Sequence, residues 1–194
     1  MGRPRIGVFG GTFDPPHVGH LVAAVEALHR LDLDRVLLVV ANHPWQKEGE
    51  RPVTPAEHRL AMVAAAVEGV EGLEASALEI GRGGPSFTAD TFAELADKEP
   101  GADLFLILGA DAAVGLPTWD RAEEVRDRAH LVVVNRPGCP LASAPEGWQA
   151  TLVGMPAIDL SSTDLRHRVA TGAPMTYLVP EAVARYIEDH DLYR

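Results

Sequence analysis

Near the start of the chain a pair of glycines, Gly10 and Gly11, is followed by two histidines three residues apart, His17 and His20. Adjacent glycines let backbone N–H groups come close to a phosphate. Imidazoles at i and i+3 share one face of a helix. Each can donate to a phosphate oxygen, and a protonated ring also offsets negative charge. Gly19 between them leaves room for a ligand. Towards the other end, Ser161, Ser162 and Thr163 offer hydroxyls and helix-start N–H groups. Arg166, three residues after Thr163, brings a guanidinium fork to the same face. Both sets suit a polyphosphate. Each also has a plainer reading: a tight strand-to-helix turn with incidental histidines, and a helix cap beside a surface arginine. The first segment fits neither G-x-G-x-x-G nor the P-loop G-x-x-x-x-G-K-[ST], which weighs against a dehydrogenase or a P-loop kinase.

For these groups to meet, the fold must gather distant loops. Apolar runs at residues 6–9, 35–41, 73–80, 104–108 and 131–135 read as strands. Helical patterns lie between and after them: from His17 or Val18 to about Leu31, 54–67, 88–98, from Ser161 or Ser162 to about Ala170, and from Pro180 to about His190. Thr54 reads as an N-cap, Pro55 as the first helical residue and Glu57 as the closing partner of a capping box. The Pro-, Gly- and Ala-rich stretch 136–147 reads as a loop. Strands apolar throughout, alternating with helices, indicate an α/β fold: a doubly wound, mainly parallel sheet covered on both faces. The length suits one domain over residues 1–194. Ligands of such sheets sit beyond the carboxyl ends of the strands. The loops expected there are 10–20, 42–53, 81–88, 109–120, 135–140 and 159–163, which hold most of the glycine-rich and polar segments.

Composition narrows the classes. A net charge of −11 argues against non-specific binding to nucleic acid or to an anionic membrane. It does not exclude small anionic ligands, since a pocket needs only a few donors. Lysine is confined to Lys47 and Lys98, which draws attention to Lys47 in its loop. No run approaches the roughly 18–20 apolar residues of a membrane span, and the N-terminus lacks the apolar core of a signal peptide. One cysteine, Cys139, excludes an intrachain disulfide framework and fits a reducing cytosol. A cytoplasmic protein without nucleic-acid or membrane partners is expected; homo-oligomerisation is left open.

The segment GGTFDPPHVGH (10–20) resembles the signature of the nucleotidyltransferase superfamily that carries an H-x-G-H element. LSSTDLRHRV (160–169) resembles the I-S-S-T-x-x-R element of the same superfamily, with Leu160 in place of isoleucine. Between them, GGPSFTADT (83–91), GADAAVGLPTW (109–119) and NRPG (135–138), with the ending YIEDHDLYR, look like the bacterial nicotinate-nucleotide adenylyltransferase family. The resemblance covers nearly the whole chain. NHPWQK (42–47) departs from the P-H-K version common in that family and is similar to a variant associated with actinobacterial members.

The resemblance implies a Rossmann-like nucleotidyltransferase fold and an enzyme of NAD biosynthesis. Its substrates would be ATP and nicotinate mononucleotide, and its products deamido-NAD and pyrophosphate. His17, His20 and Arg166 would be catalytic. The ATP site would take Gly10, Gly11, Thr12, Phe13, Gly109, Asp111, Arg136, Ser161, Ser162 and Thr163 in addition. The mononucleotide would meet Asn42, Lys47, Ser86, Phe87, Thr88 and Trp119, with the indole stacked on the pyridine ring. The plainer readings are Trp119 as core, Asp111 as a helix cap and Lys47 as a solvated charge. Transfer would be direct, because a phosphate monoester is already an anionic nucleophile. Mg²⁺ would accompany ATP, held by phosphates and water; no protein metal cage is expected from scattered histidines and one cysteine. The rival readings are another adenylyl- or cytidylyltransferase acting on nicotinamide mononucleotide, phosphopantetheine or a sugar or alcohol phosphate, and a non-catalytic nucleotide-binding regulator. A class I aminoacyl-tRNA synthetase shares the H-x-G-H element, but the chain is short and acidic for one.

Overall fold

The computed structural model describes residues 2–44, 52–135 and 144–194. Arg136 and Lys47, both expected in the site, and Cys139 lie outside the described residues.

Six strands form one sheet: β1 (Arg5–Gly11), β2 (Arg35–Val40), β3 (Leu73–Ser76), β4 (Asp103–Gly109), β5 (Ala129–Asn135) and β6 (Ala150–Gly154). Their order is β3-β2-β1-β4-β5-β6, and every pairing is parallel. This is the order of a Rossmann-like doubly wound sheet, whose direction of winding reverses between β1 and β4. Beyond the carboxyl ends of those two strands the connecting loops diverge and leave a crevice. Gly10 and Gly11 end β1 there, and Gly109 ends β4.

The helices follow from which strand residues face which side. Phe9, Val36, Leu38, Val40, Phe105, Ile107, Val132 and Val134 face one layer, which holds α1 (Val18–Arg30) and α2 (Ala56–Val67). Ile6, Val8, Leu37, Val39, Leu104, Leu106, Leu108, Leu131 and Val133 face the other. That layer holds α4 (Thr88–Lys98), α5 (Ala110–Gly115) and α6 (Ala122–Arg128), and the short α3 (Leu78–Arg82) abuts β2. Both faces of the central strands are apolar because both are covered. A third cluster of Met62, Ala66, Leu160, Leu165, Val179, Val183 and Ile187 fixes α7 (Ser162–Thr171) and α8 (Glu181–Asp189) against the outer side of α2.

Three expectations are corrected. The strand expected over 73–80 stops at Ser76; Leu78, Glu79 and Ile80 belong to α3. Thr54 does not cap α2. Pro55 is the capping residue and makes no side-chain cap bond, while Thr54 spends its backbone on Asp14 and Arg59. The loop expected over 109–120 contains α5, capped by Gly109 and not by Asp111, and a 3-10 turn, Leu116–Thr118. In addition β6 and α6 lie where no element was expected.

Candidate active site

The histidine loop is built by close packing. His17 has extended backbone (φ −145°, ψ 170°) and caps α1, and His20 lies in its first turn. Their rings stack with centroids 3.7 Å apart. The His17 N–H donates to His20 Nδ1 at 3.2 Å. A neutral His20 ring therefore carries its proton on Nε2. Phe13 sits edge-on to His20 at 5.1 Å and to Phe9 at 5.9 Å, and is 2 % exposed.

The glycines have distinct reasons. A Cβ at Gly11 would come within 2.9 Å of the Phe13 ring. At Gly19 it would come within 3.0 Å of His17 Nδ1, so this glycine makes room for the histidine ring itself. At Gly10 and Gly109 a Cβ would meet nothing within 4 Å. These two positions face open space.

The late Ser-Ser-Thr turn comes to the same place. Arg166 Nη1 donates to the Asp14 carbonyl at 2.8 Å, and Ser162 Oγ donates to the Pro15 carbonyl at 2.8 Å. Arg166 Nη2 also donates to Thr163 Oγ1 at 2.9 Å, which places the two on one face. Ser161 caps α7: its Oγ accepts from the Asp164 N–H and donates to the Asp164 carboxylate. Both serine hydroxyls thus hold protein groups. Among the described residues this leaves the Ser162 and Thr163 N–H groups and the Thr163 Oγ–H as donors at the start of α7. The positive ends of α1 and α7 therefore stand side by side.

Asp14, 1 % exposed, ties this cluster inward. Its carboxylate accepts from Tyr193 Oη at 2.7 Å and from the Thr54 N–H at 3.5 Å. Burial, and then the Asp14 charge, pushes the Tyr193 hydroxyl far above the usual phenol range, so it keeps the proton it donates.

Beside this cluster, a cavity of about 260 Å³ opens at the carboxyl ends of β1, β2 and β4. Gly10, Gly11 and Thr12 form one wall and Ser86, Phe87, Thr88 and Trp119 the other. Trp119 is both pocket and core, since its ring also packs on the second apolar layer. Ser86 Oγ accepts the Asn42 N–H at 2.8 Å, and the Asn42 side chain donates to the Gly84 carbonyl at 2.9 Å. Asn42 is thus a brace behind the wall. Asp111 is exposed in the first turn of α5, while its neighbour Ala112 lines the cavity. The histidines, Gly109 and the Ser-Ser-Thr turn lie outside the cavity lining; the 10–12 segment joins the two regions.

Four features gave no signal in the sequence. Glu79 is buried, lines the cavity and accepts from Thr91 Oγ1 at 2.7 Å. Arg82 Nη2 donates to the same threonine at 3.1 Å. Arg59, 1 % exposed, donates to three carbonyls, and Tyr193 reaches Asp14 across the chain. The Arg59 and Tyr193 contacts form only when segments far apart in sequence meet, while Glu79, Arg82 and Thr91 meet across the turn from α3 to α4. Among the described residues no three His, Cys, Asp or Glu side chains gather as a metal site, and no helix is long and apolar enough to cross a membrane.

Comparison with known proteins gives the same picture. A family model described as cytidylyltransferase-like matches residues 8–168. A protein of Leifsonia xyli named "Probable nicotinate-nucleotide adenylyltransferase" is 47 % identical, covering 99 % of this chain and 95 % of its own. One of Streptomyces coelicolor with the same name is 47 % identical, covering 95 % and 98 %. The solved structure of Plasmodium falciparum nicotinic acid mononucleotide adenylyltransferase complexed with NaAD superposes with a TM-score of 0.78 at 17 % identity, over 98 % of both chains. At that identity the likeness speaks for the fold.

Proposed function

We propose that this site transfers an adenylyl group from ATP to nicotinate mononucleotide, and the premise is the family: the chain belongs to the cytidylyltransferase-like family and, within it, to the nicotinate-nucleotide adenylyltransferases. It is an enzyme, a nucleotidyltransferase whose products are deamido-NAD and pyrophosphate. The observation that carries the residue roles is the pair of hydrogen bonds from Arg166 and Ser162 to the Asp14 and Pro15 carbonyls. They hold the starts of α1 and α7 together beside the cavity.

A phosphate oxygen of the mononucleotide attacks the α-phosphorus of ATP, and the bond to the β,γ-pyrophosphate breaks. The nucleophile is already an anion, so no side chain need take its proton. The protein aligns the two phosphates and stabilises charge in the transition state. His17, His20, the Gly19 N–H at the start of α1 and the Ser162 and Thr163 N–H groups at the start of α7 supply donors to the triphosphate. Arg166 supplies fixed positive charge. Gly10 and Gly11 let the backbone approach, and Gly109 and Asp111 border the adenosine side. Trp119 stacks on the pyridine ring, with Ser86, Phe87 and Thr88 as polar and backbone partners. The histidine and helix-start groups are donors rather than metal ligands. This fits a Mg²⁺ whose oxygens come from the triphosphate and water; when bound it offsets phosphate charge. The three apolar clusters share strands and helices, which supports one nucleotidyltransferase domain. The acidic surface and single cysteine support a cytoplasmic setting.

The test is pyrophosphate release from ATP with Mg²⁺ and each of nicotinate mononucleotide, nicotinamide mononucleotide and phosphopantetheine. The acid mononucleotide should give the highest kcat/KM. A larger value with either other acceptor would refute the substrate assignment.

A further inference from the structure

A fully buried guanidinium is costly to desolvate, and an apolar side chain of similar volume often fills such a space at no loss of stability. Arg59 on α2 is 1 % exposed. Its Nε donates to the Thr54 carbonyl at 2.7 Å, its Nη1 to the Thr12 carbonyl at 2.8 Å and its Nη2 to the Asn42 carbonyl at 3.1 Å. The three acceptors belong to the loop after β1, the loop after β2 and the lead into α2. The β1–β2 ladder ends with the Ala41 N–H donating to the Gly11 carbonyl at 3.0 Å, and Arg59 carries the register one residue further, to Thr12 and Asn42.

Each acceptor connects onward to the site. Thr12 lines the cavity on the histidine side. The N–H of Asn42 holds Ser86, which lines the opposite wall. The N–H of Thr54 donates to Asp14, whose own carbonyl takes Arg166. Arg59 thus links the Thr12 segment, assigned to the triphosphate, directly to Asn42 and through Asn42 to the Ser86 segment, assigned to the mononucleotide.

We propose that Arg59 is a positioning residue that sets the separation and angle of the two substrate-bearing walls, and so the alignment of acceptor phosphate and α-phosphorus. This rests on the adenylyl-transfer reading of the site. Lysine cannot substitute, because an ammonium is a point charge and lacks the planar fork that meets three divergent carbonyls. The loss should appear in kcat rather than in binding. Each wall keeps its own contacts when the brace fails, while a displacement of about 1 Å between reacting groups costs up to about 100-fold in rate.

The experiment compares the whole chain with Arg59→Lys and Arg59→Ala. Steady-state kinetics are run with ATP and nicotinate mononucleotide at a temperature where circular dichroism shows each protein folded. Leu95→Ala, a truncation in the distant α4 core, serves as a stability control. Arg59→Lys should lower kcat about 10- to 100-fold and leave both KM values within about threefold. Leu95→Ala should lower Tm without such a loss of kcat. Millimolar guanidinium should restore part of the turnover of Arg59→Ala and nothing in the control. A folded Arg59→Lys with kcat within twofold of the parent overturns the proposal. So does Arg59→Ala that is folded, slow and unresponsive to guanidinium. If the parent chain itself releases no pyrophosphate, the adenylyl-transfer reading fails and the proposal falls with it; turnover in the parent retained by Arg59→Lys removes the proposal alone.

Discussion

Gly10 and Gly11 are adjacent in one strand, yet a methyl group should act on them in opposite ways. Neither has positive φ, so alanine is allowed by the backbone at both. At Gly11 the new Cβ would lie 2.9, 3.0 and 3.1 Å from three atoms of the Phe13 ring. That ring is 2 % exposed and wedged between Phe9 and His20, so it cannot swing away cheaply. Overpacking of this kind costs about 1–3 kcal/mol. For a chain of this size that lowers Tm by roughly 2–12 °C. At Gly10 the Cβ would meet nothing within 4 Å. Stability should hold, or rise by about 0.4–1 kcal/mol as the unfolded chain loses freedom. The methyl group, however, occupies the space from which a phosphate approaches the backbone. A loss of about tenfold in kcat/KM, or about 1.4 kcal/mol of transition-state stabilisation, is expected. Thermal denaturation and pyrophosphate release on both variants decide the matter. Gly10→Ala with unchanged kcat/KM, or Gly11→Ala with unchanged Tm, would refute this reading of the loop.

His20→Ala should stay folded, as judged by circular dichroism, while kcat falls about 100-fold or more because charge in the transition state loses a donor; near-normal kcat would remove His20 from the mechanism. Trp119→Ala should raise KM for the mononucleotide more than for ATP, since its ring forms one cavity wall; equal effects on both substrates would mark it as core alone. Tyr193 holds its proton more tightly folded than unfolded. Its contribution to stability is complete below the unfolded value near 10 and is lost as pH rises above it, where the unfolded chain gives up the proton. The fall in Tm on the alkaline side of pH 10 should therefore be steeper in the parent than in Tyr193→Phe, and parallel curves would contradict the Asp14 contact.

Most of the sheet is legible in the sequence because β1, β2, β4 and β5 are buried on both faces and read as unbroken apolar runs. β6 escapes because it is an edge strand with Val153 as its single buried residue. α3 is misread because Leu78, Glu79 and Ile80 alternate like a strand. α5 and α6 are too short to show a helical period, and Gly109, Gly115 and Pro117 around α5 suggest a loop. The Thr54 capping box fails because tertiary partners, Asp14 and Arg59, claim the same backbone groups. The histidine pair and the Ser-Ser-Thr turn are legible because their spacing carries chemistry within one helix turn. Arg59 is not: within AEHRLAMV it looks like the polar face of a surface helix. Its partners at 12, 42 and 54 become neighbours only when β1, β2 and α2 converge.

The central claim is that one site joins the α-phosphorus of ATP to the phosphate of nicotinate mononucleotide. Phosphorus NMR of the wild-type chain with ATP, Mg²⁺ and the mononucleotide follows that atom directly. The account predicts that the α-phosphorus resonance of ATP is replaced by the diphosphate signals of the dinucleotide, with one pyrophosphate formed per dinucleotide. Formation of ADP and orthophosphate, or an ATP spectrum unchanged by enzyme and acceptor together, would contradict it.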